Sequence, residues 1–182
     1  ALAITAATAA TVPFVSYGKT HGDKEVDPSA FSVDGIELGF AMRFYRKDYQ
    51  FSRVNIRRSG FAIVPGSDAQ LQSGGWQRGL WFYLYCISDV LLKKKGHVWH
   101  RHVHNSTDLA YIGSLASAYD ISQNVSDSTT AVAYTIQNAF VITWEKMAPR
   151  KNYWEENSFQ LVFAQRSDGT YFVVYLFERC DS

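Results

Sequence analysis

The sequence is short of most of the signals that announce a chemistry. No apolar run approaches the ~20 residues that a membrane-spanning helix needs, so no span is expected. Net charge is only +1, with 18 Lys and Arg against 17 Asp and Glu. That balance leaves no field strong enough to point to nucleic acid or an anionic membrane surface. There is no Gly-x-Ser-x-Gly and no His-Glu-x-x-His, and Gly74-Gly75 lacks the lysine and helix that would make it a phosphate cradle. Nucleophilic hydrolysis, zinc-dependent proteolysis and nucleotide binding therefore have no motif to stand on. No internal repeat, low-complexity tract or linker divides the 182 residues, and a chain of that length buries a substantial core unaided.

Cysteine is scarce too. Cys86 and Cys180 belong to no metal-ligand spacing. They read either as two buried free thiols or as one disulfide of a secreted protein. Closing so long a loop is worth on the order of 4–5 kcal/mol in the chain-entropy account. Two glycosylation sequons, at Asn105 (Asn-Ser-Thr) and Asn124 (Asn-Val-Ser), lean towards secretion. The opening Ala1–Ala10 has no methionine and lacks the basic flank of an intact signal peptide, as a processed or trimmed start would. Residues 1–13 are expected to form an arm, loose or docked on a neighbour, ahead of a single domain over 14–182.

What the chain has is aromatic residues, at 15% of the total, and β-branched runs to accompany them. Both favour strands, so the expectation is a β-rich core, although a sugar- or pigment-binding surface would draw on the same residues. The strongest signal is in the C-terminal third. Ser158–Gln165 alternates, with Phe159, Leu161 and Phe163 on one face and Gln160, Val162 and Ala164 on the other. Thr170–Phe177 is apolar on both faces, as a covered central strand would be. Asp168-Gly169 between them supplies the turn of a hairpin, and Phe140–Glu145 makes a third strand upstream.

Earlier strands are expected over Ile36–Phe44, in a hairpin turning at Ser59-Gly60, in the run Leu80–Ile87 and over Gly96–His104. The stretch Pro65–Gly79 reads as a long loop, and Lys93-Lys94-Lys95 as a solvated basic turn. One helix is expected, near 107–123, with Leu109, Ile112, Leu115, Ala116 and Tyr119 on its apolar face. Ser106 or Thr107 would cap it, Asp108 would sit at the positive end of its dipole, and Gly113 would cost it about 1 kcal/mol.

Two groups of residues are candidates for binding. His100, His102 and His104 share a face of one strand and could hold zinc or copper, or titrate together as a pH switch for assembly. The alternative is a polar strand face whose imidazoles cap carbonyls or contact water. Arg150, Tyr153 and Trp154, and separately Trp76, combine aromatic and basic character on loops in the manner of partner contacts. Against this, Trp154 could equally fold back on the sheet. Glu155-Glu156 reads as solvated loop rather than a calcium site.

The order of these segments resembles the NIDO domain, the extracellular module of nidogen, alpha-tectorin and several mucin-like membrane proteins. Tyr17-Gly18 ahead of Gly22-Asp23 looks like its opening, and Val54-Asn55 with Ser59–Ile63 like its hairpin. Gly96–Arg101 is similar to its Gly-x-Val-aromatic-aromatic-Arg strand. Thr143-Trp144 and Asn157–Ala164 match its Thr-Trp and Phe-Gln-Leu-Val segments most specifically. Where the family commonly carries Trp-Ala-Asp-x-Asp this chain has Tyr85–Val90 with one acid, Asp89, which argues against cation binding there. None of the modules that usually follow is present, as expected of an excised domain or a stand-alone relative.

Residues and resemblance together give the expectation of a mainly β (α+β) fold, with face-to-face antiparallel sheets and one substantial helix. The resemblance implies a secreted, non-enzymatic adhesion or structural module, without a cofactor, that binds an extracellular protein or itself as a homo-oligomer. The competing expectation is a soluble carrier or lectin with an aromatic-lined pocket.

Overall fold

The computed structural model describes residues 4–6, 13–43, 50–65, 79–83, 96–123, 134–148 and 156–178. Among these residues ten strands and one α-helix follow in chain order: β1 (Ile4–Ala6), β2 (Lys24–Glu25), β3 (Ser32–Arg43), β4 (Gln50–Arg57), β5 (Phe61–Pro65), β6 (Gly79–Tyr83), β7 (His97–Val103), α1 (Ser106–Gln123), β8 (Ile136–Met147), β9 (Asn157–Arg166) and β10 (Tyr171–Phe177). They form a six-stranded sheet of order β1-β10-β9-β8-β7-β2 and a four-stranded sheet of order β3-β4-β5-β6. All pairings are antiparallel except β1 on β10. The expected mainly β architecture with one helix is the observed one.

The alternation along β9 is what makes three layers. Phe159, Leu161 and Phe163 join Phe140, Ile142 and Trp144 of β8 in a core between the two sheets, where they meet Leu38, Val54 and Ile56. Gln160, Val162 and Ala164 face the opposite side, and there Val162 and Ala164 join Val141, Phe172 and Val174 beneath Ile112 of α1. The apolar β10 is covered on both faces for the same reason: Val173 and Tyr175 serve the first core, Phe172, Val174 and Leu176 the second. The turn between β9 and β10 is the expected one. Gly169 adopts φ +81°, and Asp168 Oδ1 accepts the Thr170 amide at 2.9 Å.

Two contacts fasten the sheets to each other at one end. The Trp144 indole, fully buried and stacked on Phe159 with centroids 5.1 Å apart, donates through Nε1 to the Arg57 carbonyl at 2.9 Å. Arg58 donates to the Gly96 carbonyl at 3.0 Å. Further along, β3 passes so close to β7 that a Cβ on Gly39 would stand 2.8 Å from the His102 ring.

Several features differ from expectation. Part of the N-terminal arm, Ile4–Ala6, pairs in parallel with Val173–Tyr175 of its own chain. The helix starts at Ser106, and its cap is Asn105 rather than Ser106 or Thr107: Asn105 Oδ1 accepts the Asp108 amide at 2.7 Å. Leu109, Ile112, Leu115 and Ala116 face the second core as expected. Gly113 is a packing requirement as well as a helix cost, since a Cβ there would lie 2.2 Å from the Tyr134 carbonyl oxygen. No helix among the described residues is long and apolar enough to cross a membrane.

Candidate functional site

The densest polar arrangement lies where the segment 13–23 crosses the second face of the six-stranded sheet. Val15 is fully buried, so its amide and carbonyl have no access to water and need partners within the protein. Gln160 supplies both. Its Oε1 accepts the Val15 amide at 2.9 Å, and its Nε2 donates to the Val15 carbonyl at 2.7 Å and to Thr143 Oγ1 at 2.9 Å. One side chain from β9 thus stands in for a strand neighbour, and the Thr143 hydroxyl fixes its orientation.

Next to this clamp, Arg101 projects from β7 into a nearly closed ionic cluster. Its Nη2 donates to Asp108 Oδ2 at 2.5 Å and to the Ser16 carbonyl at 2.8 Å, and its Nε lies 3.0 Å from Asp23 Oδ1. Asp108 Oδ2 also accepts from Ser16 Oγ and from Asn105 Nδ2, each at 2.7 Å. Asp23 accepts the Gly18 amide, which closes the loop between Tyr17-Gly18 and Gly22-Asp23. Both glycines take positive φ there, +94° and +81°.

The two acids respond to this setting in opposite ways. Burial pushes the Asp23 carboxyl up, against the pull of the Gly18 amide and Arg101. Burial pushes on Asp108 as well, but hydrogen bonds from Asn105, Ser16 and Arg101 and the guanidinium charge outweigh it and hold that carboxyl below the usual range. Both acids are engaged by a cation or by backbone, and together with Arg101 they tie the opening segment to β7 and α1.

The histidines occupy the other face of β7. His100 and His102 lie against Phe140, with ring centroids 5.9 and 5.0 Å away, and His104 stacks on His102 at 6.0 Å. His102 is tied to the backbone of Glu37 and Leu38. Burial, then Lys24 and His102, push His100 down to about 4, and burial, His104 and Lys24 lower His102. Both shifts disfavour the charged form of these two rings. Among the described residues no three His, Cys, Asp or Glu side chains gather as a metal site.

Of the other residues singled out in the sequence, Asn105 is exposed, and its amide belongs to the cluster just described. Cys86, Cys180, Asn124, Trp76, Arg150, Tyr153, Trp154 and Glu155 lie outside the described residues. Sequence reasoning missed the Asp23–Arg101–Asp108 cluster, whose members come from three separate segments. The one local signal was the Asn105-x-x-Asp108 spacing of a reciprocal cap.

Comparison with protein families matches residues 86–179 to the nidogen-like domain. The match takes in β7, α1 and β8–β10, and with them Arg101, Asn105, Asp108, Thr143, Trp144 and Gln160. The opening over 14–23 and the Val54–Ile63 hairpin lie before it. No curated protein and no solved structure matches the chain. With just over half of its length matched, the chain belongs to the nidogen-like (NIDO) domain family.

Proposed function

We propose that this protein is a secreted, non-enzymatic module that works by attachment, to another extracellular protein or to a second copy of itself. One observation carries the reading. The polar residues of the Thr-Trp and Phe-Gln-Leu-Val segments are spent internally: Gln160, held in turn by the Thr143 hydroxyl, bonds Val15, and Trp144 bonds the Arg57 carbonyl. What recurs in the family pattern is thus a rigid scaffold, and such scaffolds present their working residues on surfaces and loops. A disulfide between Cys86 and Cys180 and a glycan on Asn105 or Asn124 belong to the same proposal. No metal or other cofactor enters it.

The test is expression in a secretory cell line, followed by solid-phase binding of the purified protein to immobilised extracellular matrix and to itself. The reading expects protein in the medium, a mass decrease on treatment with peptide-N-glycosidase, and saturable binding that is lost on heat denaturation. Retention inside the cell, or native protein that binds neither surface, would overturn it.

A further inference from the structure

Beyond Ser16, one end of the six-stranded sheet's second face carries side chains that are not closed off: Tyr17, Trp99 and Glu145 are half-buried and His97 is exposed. His97 and Trp99 alternate onto this end of β7, with their rings stacked at 5.6 Å and 25° apart. His97 Nδ1 is 2.6 Å from Glu25 Oε1, and Trp99 Nε1 donates to Glu145 Oε2 at 2.8 Å. Glu178 follows β10 and is exposed; its amide bonds the Ser158 carbonyl at 3.1 Å. Tyr17 stands over the same ground. Its phenol is pushed up by burial first and then by the charges of Glu145 and Glu178, which places it within their field. Among the described residues neither Glu145 nor Glu178 has a cationic partner.

From this end of the sheet we propose a docking surface for an arginine-bearing segment of a partner protein, received on Trp99, His97 and Tyr17 and neutralised by Glu145 and Glu178. Charge complementarity selects the occupant. Half-exposed ring faces edged by carboxylates match a guanidinium, which stacks on aromatic planes while donating in its own plane to acids. An apolar peptide would leave the carboxylates buried without a counter-charge, and an acidic one would be repelled. The inference rests on the attachment reading and names the chemistry of what is attached.

The probe is a hexa-arginine peptide titrated calorimetrically into the intact protein at low ionic strength, with a glycine-serine hexapeptide as control. Glu145→Gln with Glu178→Gln keeps an acceptor for Trp99 and removes both charges, and it is expected to weaken binding about tenfold or more. Glu37→Gln, on the outer face of the other sheet, is expected to leave binding unchanged. Near-ultraviolet circular dichroism confirms that each variant is folded. Equal affinity in the wild type and the double variant, or no binding to the wild type, overturns the surface. Matrix binding that persists in either case would leave the attachment reading standing, which separates the two failures.

Discussion

At the scale of single residues, Gln160 shows how a polar side chain can be a core residue. It is wholly inaccessible to solvent, and each of its hydrogen-bonding groups is used. Gln160→Leu is nearly isosteric, yet it would strand the Val15 amide and carbonyl in an apolar setting. A loss of about 2–4 kcal/mol is expected, read as a lowered urea midpoint with unchanged slope. Gly113 makes the converse point. Helix propensity alone says that Gly113→Ala should gain about 1 kcal/mol, but the Tyr134 carbonyl leaves no room for a methyl group. The variant is expected to lose about 1–3 kcal/mol in the same assay. The alternation of β9 put Gln160 on the correct face in the sequence. That this face would be closed by a segment 145 positions away was not legible, because periodicity records which way a residue points and not what comes to cover it.

At the scale of elements, β3 to β10 and the helix were readable from residue type and pattern, whereas the short strands β1 and β2 were not expected and the helix cap was placed one or two residues late. Ser106 and Thr107 are good caps in isolation, but Asn105 accepts the Asp108 amide three positions on, and the Asp108 carboxylate ties the helix to Arg101. Asn105 is also the acceptor of a sequon, so the two roles can be separated. Thr107→Ala removes only the sequon and is expected to abolish any glycan on Asn105 with little change in stability. Asn105→Gln also removes the cap and is expected to cost about 1 kcal/mol more. Mass spectrometry with thermal melts of both variants checks this, and equal melting temperatures would contradict it.

Strand β7 carries a pH dependence of its own. His100 has a folded-state pKa of about 4 against an ordinary 6.5, so it is neutral when folded and charges when unfolded. Its contribution is fully present above pH 6.5, falls as the unfolded chain takes up protons, and is gone below about 4. His102 is shifted in the same direction. Asp23, shifted up, opposes them only near the carboxylate range, and Asp108, shifted down, adds to the acid loss there. Allowing for solvent screening, acidification across the histidine window is expected to cost about 2 kcal/mol. His100→Gln should flatten that slope in urea midpoints measured against pH, and an unaltered slope would contradict the assignment.

At the scale of the molecule, the fold class was legible because a β-rich chain with one helix has few ways to cover two faces of one sheet, and the family because Thr143-Trp144 and Asn157–Ala164 resemble its segments. The polar clasp was not, because Asp23, Arg101 and Asp108 come from three segments that only the finished topology brings together. The central claim is that residues of the family's most specific segments hold the opening segment in place as part of one scaffold. Amide hydrogen exchange at Val15 tests it most directly, since among the described residues that amide's partner is the Gln160 side chain. The account predicts that Val15 exchanges as slowly as the β9 amides at its core, near the limit set by global unfolding. Exchange at Val15 as fast as in an open loop, while β9 remains protected, would contradict it.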